Sequence, residues 1–244
     1  MSQPTLRSPD LLRKLAERIR EIESGRPSAA AAVIPFGMAA LDDLLPDGGL
    51  PAGSLVELLS AADGTGAWSL ALLLARQAAG RQKALVAVDR SGCFYPPVAA
   101  KLGVDLRRTI VVRPSTQRDV FAALDLSLRC TAVGAVLSWC DRIPPSEFRR
   151  FQLAAEAGAG LGLLLRGPEA VRTPSFAAAR LLVTPVPLTA SRQCHAVRVE
   201  VLRRRGGKAG QSLIVEIDRE TGDVRVPAEV AVAAAGARAA RASG

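Results

Sequence analysis

One short segment has the residue order of a phosphate-binding loop but lacks the residues that bind phosphate. It runs from Glu57 to Ala71, with an apolar stretch, a turn containing Gly64 and Gly66, and an Ala/Leu-rich stretch. In the working pattern, G-x-x-x-x-G-K-[ST], the lysine binds the β- and γ-phosphates and the hydroxyl binds magnesium. Here Ala67 and Trp68 follow the second glycine. The segment therefore predicts a strand, a turn and a helix without the cation or the metal-binding hydroxyl that phosphoryl transfer requires.

The elements that would position this loop alternate along the middle of the chain. Short apolar runs separated by helical patterns predict a mostly parallel, doubly wound α/β sheet. After Pro168 the spacing changes and predicts antiparallel strands that extend the sheet. The expected strands are Leu55–Leu59, Ala84–Val88, Ile110–Val112, Ala135–Trp139 and Leu161–Leu165, then Arg180–Val183, His195–Leu202 and Ser212–Ile217. The expected helices are Ala39–Leu45, Ser69–Ala79, Pro96–Leu102, Arg118–Cys130 and Ser146–Gly158; Ile34–Gly37 is a short strand or turn and Leu50–Gly53 a turn.

The chain ends differ in composition from this core. Asp10–Glu23 has apolar residues at helical spacing, and an Ala/Ser/Pro-rich linker follows it. We expect a helix and linker over residues 1–32, a core over 33–227 and a flexible Ala/Arg-rich tail over 228–244. The leading helix would dock either on a partner or on its own core.

The chain is strongly basic and apolar enough to fold. Its 244 residues suit one α/β domain with short extensions, or at most two small domains, and a hydrophobic content of 49% supplies a core. The net charge of +9 predicts a polyanionic partner, with nucleic acid ahead of an acidic protein or a membrane surface. Codon bias is the alternative explanation, because the chain is rich in Ala, Arg, Gly and Pro and poor in Lys.

Metal-ligating residues are scarce. Cys93, Cys130, Cys140 and Cys194 form no C-x-x-C pair, and the single histidine is His195. We therefore expect buried free thiols rather than a zinc site or a disulfide framework, and a histidine that is a strand residue rather than a base. The sequence contains no signal-peptide pattern and no apolar run of ~18 residues, so we predict a cytoplasmic protein without membrane contact.

Several runs, taken in order, resemble the core of RecA-type ATPases. The stretch from Ile34 to Glu57 is similar to the "TG…LD…LGGGLP.G…E" entry that precedes their phosphate loop. Val88–Pro96 resembles the segment "IDAEHALDP", and Lys101–Asp105 repeats "KLGVD". Ala132, Val133 and the strand after them resemble the Walker B strand "AVDVIVVDS". The resemblance covers roughly residues 34 to 140, continues more weakly to about 218, and implies a RecA-like core.

The same resemblance implies where the family's functional residues would fall. The phosphate-binding lysine falls on Ala67, the threonine on Trp68, the water-orienting glutamate on Ser91, the Walker B aspartate on Trp139 and the adenine-stacking tyrosine on Val98. All five differ from the family. Removing one oxyanion-type donor costs roughly 10²–10³ in rate, so we expect no catalysis and no cofactor. The degenerate nucleotide site would consist of Gly64, Gly66, Ala67, Trp68, Ser91 and Trp139.

Three features together narrow the resemblance to ImuA, a RecA-like family of bacterial mutagenesis cassettes related to the SulA cell-division inhibitors. They are the broken phosphate loop, a tryptophan in the Walker B strand, and a strand that ends Val201-Leu202-Arg203-Arg204-Arg205-Gly206. The resemblance implies a non-catalytic adaptor in error-prone translesion DNA synthesis within the SOS response to DNA damage. The implied partners are an ImuB-like pseudopolymerase, RecA and an error-prone DNA polymerase assembly. The alternatives are a SulA-like inhibitor or an atypical RecA-family ATPase or recombinase that uses a distant lysine, Lys83 or Lys101.

A second candidate site is cationic. Arg203, Arg204, Arg205 and Lys208 stand with three glycines between two predicted strands. Arginine presents a planar fork of donors that suits phosphate, so the loop predicts contact with DNA or an acidic partner. The alternative is a solvated hairpin whose charges oppose aggregation. Because aromatic residues are only 4% of the chain, base stacking is not expected and DNA binding would lack sequence preference.

Two buried carboxylates complete the candidates. Glu57 lies within a predicted buried strand and Asp89 at the end of another. We expect both to cap turns rather than to catalyse.

Overall fold

The computed structural model describes residues 32–60, 64–187, 194–204, 210–218, 220–221 and 223–227. The predicted leading helix Asp10–Glu23 and the predicted tail from Ala228 lie outside these ranges. The strands are β1 Val33–Ile34, β2 Leu50–Pro51, β3 Leu55–Ser60, β4 Ala84–Val88, β5 Thr109–Val112, β6 Val133–Trp139, β7 Leu161–Arg166, β8 Ala179–Val186, β9 Cys194–Arg204, β10 Ser212–Asp218 and β11 Val224–Arg225. The α-helices are α1 Ala39–Asp42, α2 Ala67–Ala79, α3 Pro96–Lys101, α4 Gln117–Arg129 and α5 Pro145–Gly158.

Nine of the described strands form one sheet in the order β11-β10-β9-β8-β3-β7-β6-β4-β5. The strands from β8 to β5 run parallel, and β9, β10 and β11 extend the sheet antiparallel to their neighbours. β1 and β2 pair separately as an antiparallel ribbon. The predicted fold class, a mostly parallel sheet with antiparallel C-terminal strands, is therefore confirmed.

The sheet is covered on both faces. Alternate strand residues such as Leu58, Leu137 and Leu165 pack with the apolar face of α2 and with Ala99 of α3. The other face packs against α4 and α5, where Phe148 and Phe151 are fully buried. In the described ranges, no helix is both long enough and apolar enough to traverse a lipid bilayer.

The predicted element boundaries differ from the observed ones at two positions that affect the site. Helix α2 begins at Ala67, two residues before the predicted start at Ser69. Leu50 and Pro51, predicted as a turn, pair with β1. The first difference is the more important, because it makes Ala67 and Trp68 the first turn of a helix instead of loop residues.

Glu57 forms a buried ion cluster instead of capping a turn, so the sequence interpretation of this residue was wrong. Its side chain is fully buried on β3, and its carboxylate contacts Arg166 at the end of β7 and Arg180 at the start of β8. Arg180 Nε lies 2.6 Å from Glu57 Oε2, and Arg166 donates a second hydrogen bond of 3.0 Å to the carbonyl of Asp141. The cluster ties together β8, β3 and β7, the three adjacent strands at the centre of the nine-stranded sheet.

Replacing Glu57 by glutamine tests this cluster. We expect the free energy of unfolding of Glu57→Gln to fall by about 3–5 kcal/mol, because the change leaves two buried guanidinium groups without their counterion. Glu216→Gln is the matched control. Its partner Arg225 has a side chain that is 66% exposed, so the loss should stay under about 1 kcal/mol. Chemical denaturation measures both values, and equal losses would contradict the assignment.

Candidate functional site

The remnant of the phosphate loop lies at the carboxyl ends of the parallel strands. The loop follows Ser60, the last residue of β3, and the structure describes it again from Gly64 onward. Gly64 and Gly66 have φ values of 71° and 81°, a left-handed conformation that favours glycine. Gly66 is the N-cap residue of α2, so the chain makes the strand–turn–helix geometry that the sequence predicts.

The turn is closed by its own side chains and by the antiparallel extension. The hydroxyls of Ser60 and Thr65 share a hydrogen bond of 2.7 Å, and both side chains are buried. A Cβ on Gly66 would lie 2.8 Å from Ile217 Cδ1 and 3.2 Å from Val197 Cγ1. On the side facing β9 and β10, the turn is therefore in contact with hydrocarbon rather than with an open anion-binding cleft.

The first turn of α2 belongs to the protein core. Ala67, at the position of the family's lysine, is only 3% exposed. Trp68, at the position of the threonine, is half-buried and meets Phe94 edge-to-face, with ring centroids 6.2 Å apart and an interplanar angle of 71°. Its indole Nε1 is buried and has no hydrogen-bond partner among the described residues. Two apolar side chains thus occupy the helix end at which phosphoryl-transfer enzymes place a cation and a metal-binding hydroxyl.

Asp89 fixes the partner of this tryptophan. Asp89 Oδ1 accepts a hydrogen bond of 2.8 Å from the backbone N–H of Cys93, and Oδ2 accepts one of 3.0 Å from that of Phe94. The predicted turn-capping role of Asp89 is confirmed. Both carboxylate oxygens are engaged with the backbone, and they hold Phe94, which is only 4% exposed, against the indole.

Ser91 lies at the exposed apex of the same turn. Its hydroxyl accepts a hydrogen bond of 3.3 Å from the Cys93 thiol. Ser91 occupies the position that the resemblance assigns to a water-orienting glutamate, and a serine hydroxyl cannot act as a carboxylate base. Of the four cysteines, Cys93 and Cys130 are exposed and Cys140 and Cys194 are buried, so the expectation of buried thiols is wrong for two of them.

Trp139 ends β6 on the α2 side of the sheet, where it packs against the same core as Trp68. Its indole Nε1 donates a hydrogen bond of 3.2 Å to Asp141 Oδ1. The position of a Walker B carboxylate is thus held by an indole, and Asp141 lies in the exposed turn beyond the strand end. The next residue, Cys140, points into the opposite core, and burial raises the pKa of its thiol, which therefore stays protonated.

The structure brings most of the predicted nucleotide-site residues together at one end of the sheet. Gly64, Gly66, Ala67, Trp68 and Trp139 lie on the α2 side at the carboxyl ends of the parallel strands, and Ser91 follows β4 at that end. Among the described residues, no group of three or more His, Cys, Asp or Glu side chains could hold a metal ion. At the described positions that the resemblance assigns to nucleotide ligands, the side chains are those of Ala67, Trp68, Ser91 and Trp139, none of which is a cation or a carboxylate.

The strand that leads into the predicted basic loop ends at the opposite end of the sheet. Arg204 ends β9 and pairs with Ala179, the first residue of β8, so it is at the amino end of the parallel strands. The other end of β9 carries His195, which lies in the strand as expected and whose Cδ2 is 3.6 Å from the Cβ position of Gly66. Arg205 and Lys208 are outside the described residues, and of Arg203 and Arg204 only the backbone is described.

Sequence reasoning missed two parts of the site. Phe94, the ring that contacts Trp68, carried no signal apart from its place two residues after the glycine turn of residues 91–92. The hydrogen bond between Ser60 and Thr65 could have been inferred, because each is a small polar residue beside an apolar strand or helix and needs a partner when buried.

Comparison with known proteins gives a consistent set of relatives. No family model matches the chain. The protein ImuA of Caulobacter vibrioides is 29% identical over 197 residues, which cover 73% of this chain and 81% of that protein. RecA of Thermus thermophilus is 33% identical over 111 residues, which cover 46% of this chain and 32% of RecA. The crystal structure of the RadB recombinase matches with a TM-score of 0.62 and 16% identity, over 80% of this chain and 99% of that one, and shows the shared fold.

Truncating the indole tests the packing of the site. We expect Trp68→Ala to lower the free energy of unfolding by about 2–3 kcal/mol, less than for a fully buried tryptophan because the ring is half-buried. A double-mutant cycle with Phe94→Ala should give a coupling of about 0.5–1.5 kcal/mol for the edge-to-face pair. Tyr95→Ala is the control, because this neighbouring ring is 59% exposed and should contribute within about 0.5 kcal/mol. A coupling of zero in the cycle would show that the two rings do not support each other.

Proposed function

Because the chain is ImuA-like and related to RecA, we propose that it is a non-catalytic adaptor of error-prone translesion DNA synthesis. Its RecA-like core would serve as a binding scaffold and would not hydrolyse nucleotide. The observation that carries this proposal is the first turn of α2. Ala67 and Trp68 are packed into the core there, at the two positions where the RecA resemblance requires a lysine and a hydroxyl.

The energetics of phosphoryl transfer support the non-catalytic part of the proposal. Catalysis of this reaction consists almost entirely of positioning and of stabilising charge on the phosphoryl oxygens. The chain lacks the lysine, the Walker B carboxylate and the water-orienting glutamate at the positions given by the resemblance. Losses of roughly 10²–10³ for a single donor would, in combination, leave no useful turnover. An indole that contacts Phe94 also leaves hydrocarbon where a metal–phosphate complex would need charge.

The partners that we propose are those that the resemblance to ImuA implies. As an ImuA-type protein, the chain would contact an ImuB-like pseudopolymerase, RecA and an error-prone DNA polymerase assembly in the SOS response, inside the cytoplasm. The net charge of +9 supports an additional contact with DNA without sequence preference, for which Arg203, Arg204, Arg205 and Lys208 are the residues proposed from the sequence. These basic residues would add affinity for DNA, while contacts with the protein partners would determine which assembly the chain joins.

Isothermal titration with ATP and magnesium tests the loss of nucleotide chemistry. We expect no binding tighter than about 1 mM, which corresponds to only about 4 kcal/mol of binding free energy, and no release of phosphate. RecA of Thermus thermophilus, titrated under the same conditions, is the positive control. Binding in the micromolar range together with hydrolysis would overturn the proposal in favour of an atypical RecA-family ATPase.

Co-purification tests the partners. A tagged full-length chain should retain an ImuB-like pseudopolymerase and RecA from mixtures of the purified proteins, in the absence of nucleotide. An FtsZ-type cytoskeletal GTPase in the same mixture is the control, because a SulA-like inhibitor would retain it instead. Retention of that GTPase alone would contradict the adaptor role and support the cell-division alternative.

A further inference from the structure

A small cationic cavity lies at the amino ends of β4 and β5, at the opposite end of the sheet from the phosphate-loop remnant. Its volume is about 50 Å³, and its cations are Arg76 near the end of α2, Lys83 just before β4, and Arg108 just before β5. Gly80 and Gly103 form part of the wall. Neither the nucleotide site nor the predicted basic loop includes any of these residues.

Two of the three cations are held in place by backbone carbonyls. Arg76 Nη1 donates a hydrogen bond of 3.2 Å to the carbonyl of Leu102, and Arg108 Nη1 donates one of 2.6 Å to the carbonyl of Gln82. Gly103 has a φ of 78°, a left-handed conformation that favours glycine, and the absence of a side chain there leaves space beside the Arg76 guanidinium. Each arginine is fixed through one nitrogen and keeps other donors for a ligand, which lowers the entropy cost of binding.

The surroundings of the cavity add positive charge. Arg81, Lys101 and Arg107 are exposed and lie within two residues in sequence of a cavity cation or of Leu102. In the described part of the chain, these three residues and Lys83 form no ion pair with another residue. The acid in the lining is Asp105. Its Oδ2 lies 3.9 Å from Arg108 Nε, and its Oδ1 accepts the backbone N–H of Arg107 at 3.0 Å.

The size of the cavity limits the ligand. A volume of about 50 Å³ is far below the roughly 300–1,000 Å³ of ordinary small-molecule sites. The cavity therefore does not enclose a whole nucleotide, and its cations are placed to meet one charged group of a larger ligand. A phosphate oxygen here would meet three cations, two of which have guanidinium donors that suit it.

We infer that Arg76, Lys83 and Arg108, with the exposed cations beside them, bind the phosphate backbone of DNA without sequence preference. Three cations line one small cavity and three more lie beside it in sequence, so a polyanion with regularly spaced phosphates can contact them through successive groups. The net charge of +9 favours nucleic acid over an acidic peptide as the ligand. The inference concerns a DNA contact of this chain and does not depend on the proposed adaptor role or on the loop around Arg205.

Fluorescence anisotropy with a labelled duplex of about 20 base pairs tests this site on the full-length protein. We expect Lys83→Gln/Arg108→Gln to weaken binding about tenfold and to make the salt dependence shallower by one to two released counterions. Arg81→Gln/Arg107→Gln should act in the same direction, and it leaves the bond from Arg108 to Gln82 intact if the first variant is unstable. The control is Arg118→Gln/Arg142→Gln, which removes two exposed charges elsewhere and should change binding less than twofold.

Any one of four results would overturn the inference. Both cavity variants could bind as the unaltered protein does, or the control could weaken binding equally, which would indicate a general charge effect. A variant in which Arg203, Arg204, Arg205 and Lys208 are all glutamine could abolish binding while the cavity variants leave it unchanged. The cavity variants could lose binding of a labelled polyglutamate peptide while they keep binding of the duplex, and this result would assign the surface to an acidic protein.

Discussion

The burial of the first turn of α2 is the constraint on which the rest of the candidate site depends. A phosphate-binding loop works because the start of its helix presents unpaired N–H groups, a cation and a hydroxyl to a ligand. Here the helix start is covered by apolar contacts: Ala67 enters the core, Trp68 meets Phe94, and Gly66 presses against Ile217 and Val197. A lysine at position 67 would have to bury its charge or push these elements apart, and an isolated buried charge costs several kcal/mol. The antiparallel strands β9 and β10 therefore pack against the loop, and the difference from a phosphate-binding loop involves these strands as well as the individual ligand positions.

The buried ion cluster of the core has a structural role and lies on the other face of the sheet. Glu57, Arg166 and Arg180 alternate with residues that face α2, so the cluster points away from the loop and toward the α4–α5 side. Buried ion pairs often contribute little to stability relative to well-packed apolar residues. This cluster joins β3, the first of the parallel strands in sequence, to β7 and β8, the last two. It therefore specifies which strands are neighbours. Its value is in defining the strand order at the point where the antiparallel extension begins.

The fold could be read from the sequence because its signals are local and strong. Apolar strands such as Ala84–Val88 are buried on both faces and therefore appear as continuous runs. The site could be read only in part. The resemblance gave the positions of Ala67, Trp68 and Trp139. The role of Phe94 could not be predicted, because its contact with Trp68 joins elements that are distant in sequence and depends on the turn that Asp89 caps. Glu57 was misread because its partners, Arg166 and Arg180, are more than a hundred residues away. The start of α2 was placed two residues late because glycines in the loop mask where helical hydrogen bonding begins.

The two ends of the sheet have opposite characters, and this polarity organises the function that we propose. Ligands of open α/β sheets generally bind at the carboxyl ends of the strands. Among the described residues at that end, Ile217 and Val197 pack beside Gly66, and Trp68 contacts Phe94. The amino end carries the fixed cations Arg76 and Arg108, and the backbone of β9 also ends there at Arg204. Six strand spacings of about 4.8 Å separate β9 from β5, a span of about 29 Å, which equals eight or nine base-pair steps of B-form DNA at about 3.4 Å each. In the function that we propose, nucleotide is not used at one end of the sheet, the other end offers DNA a surface of suitable charge and length, and the remaining faces are left to protein partners.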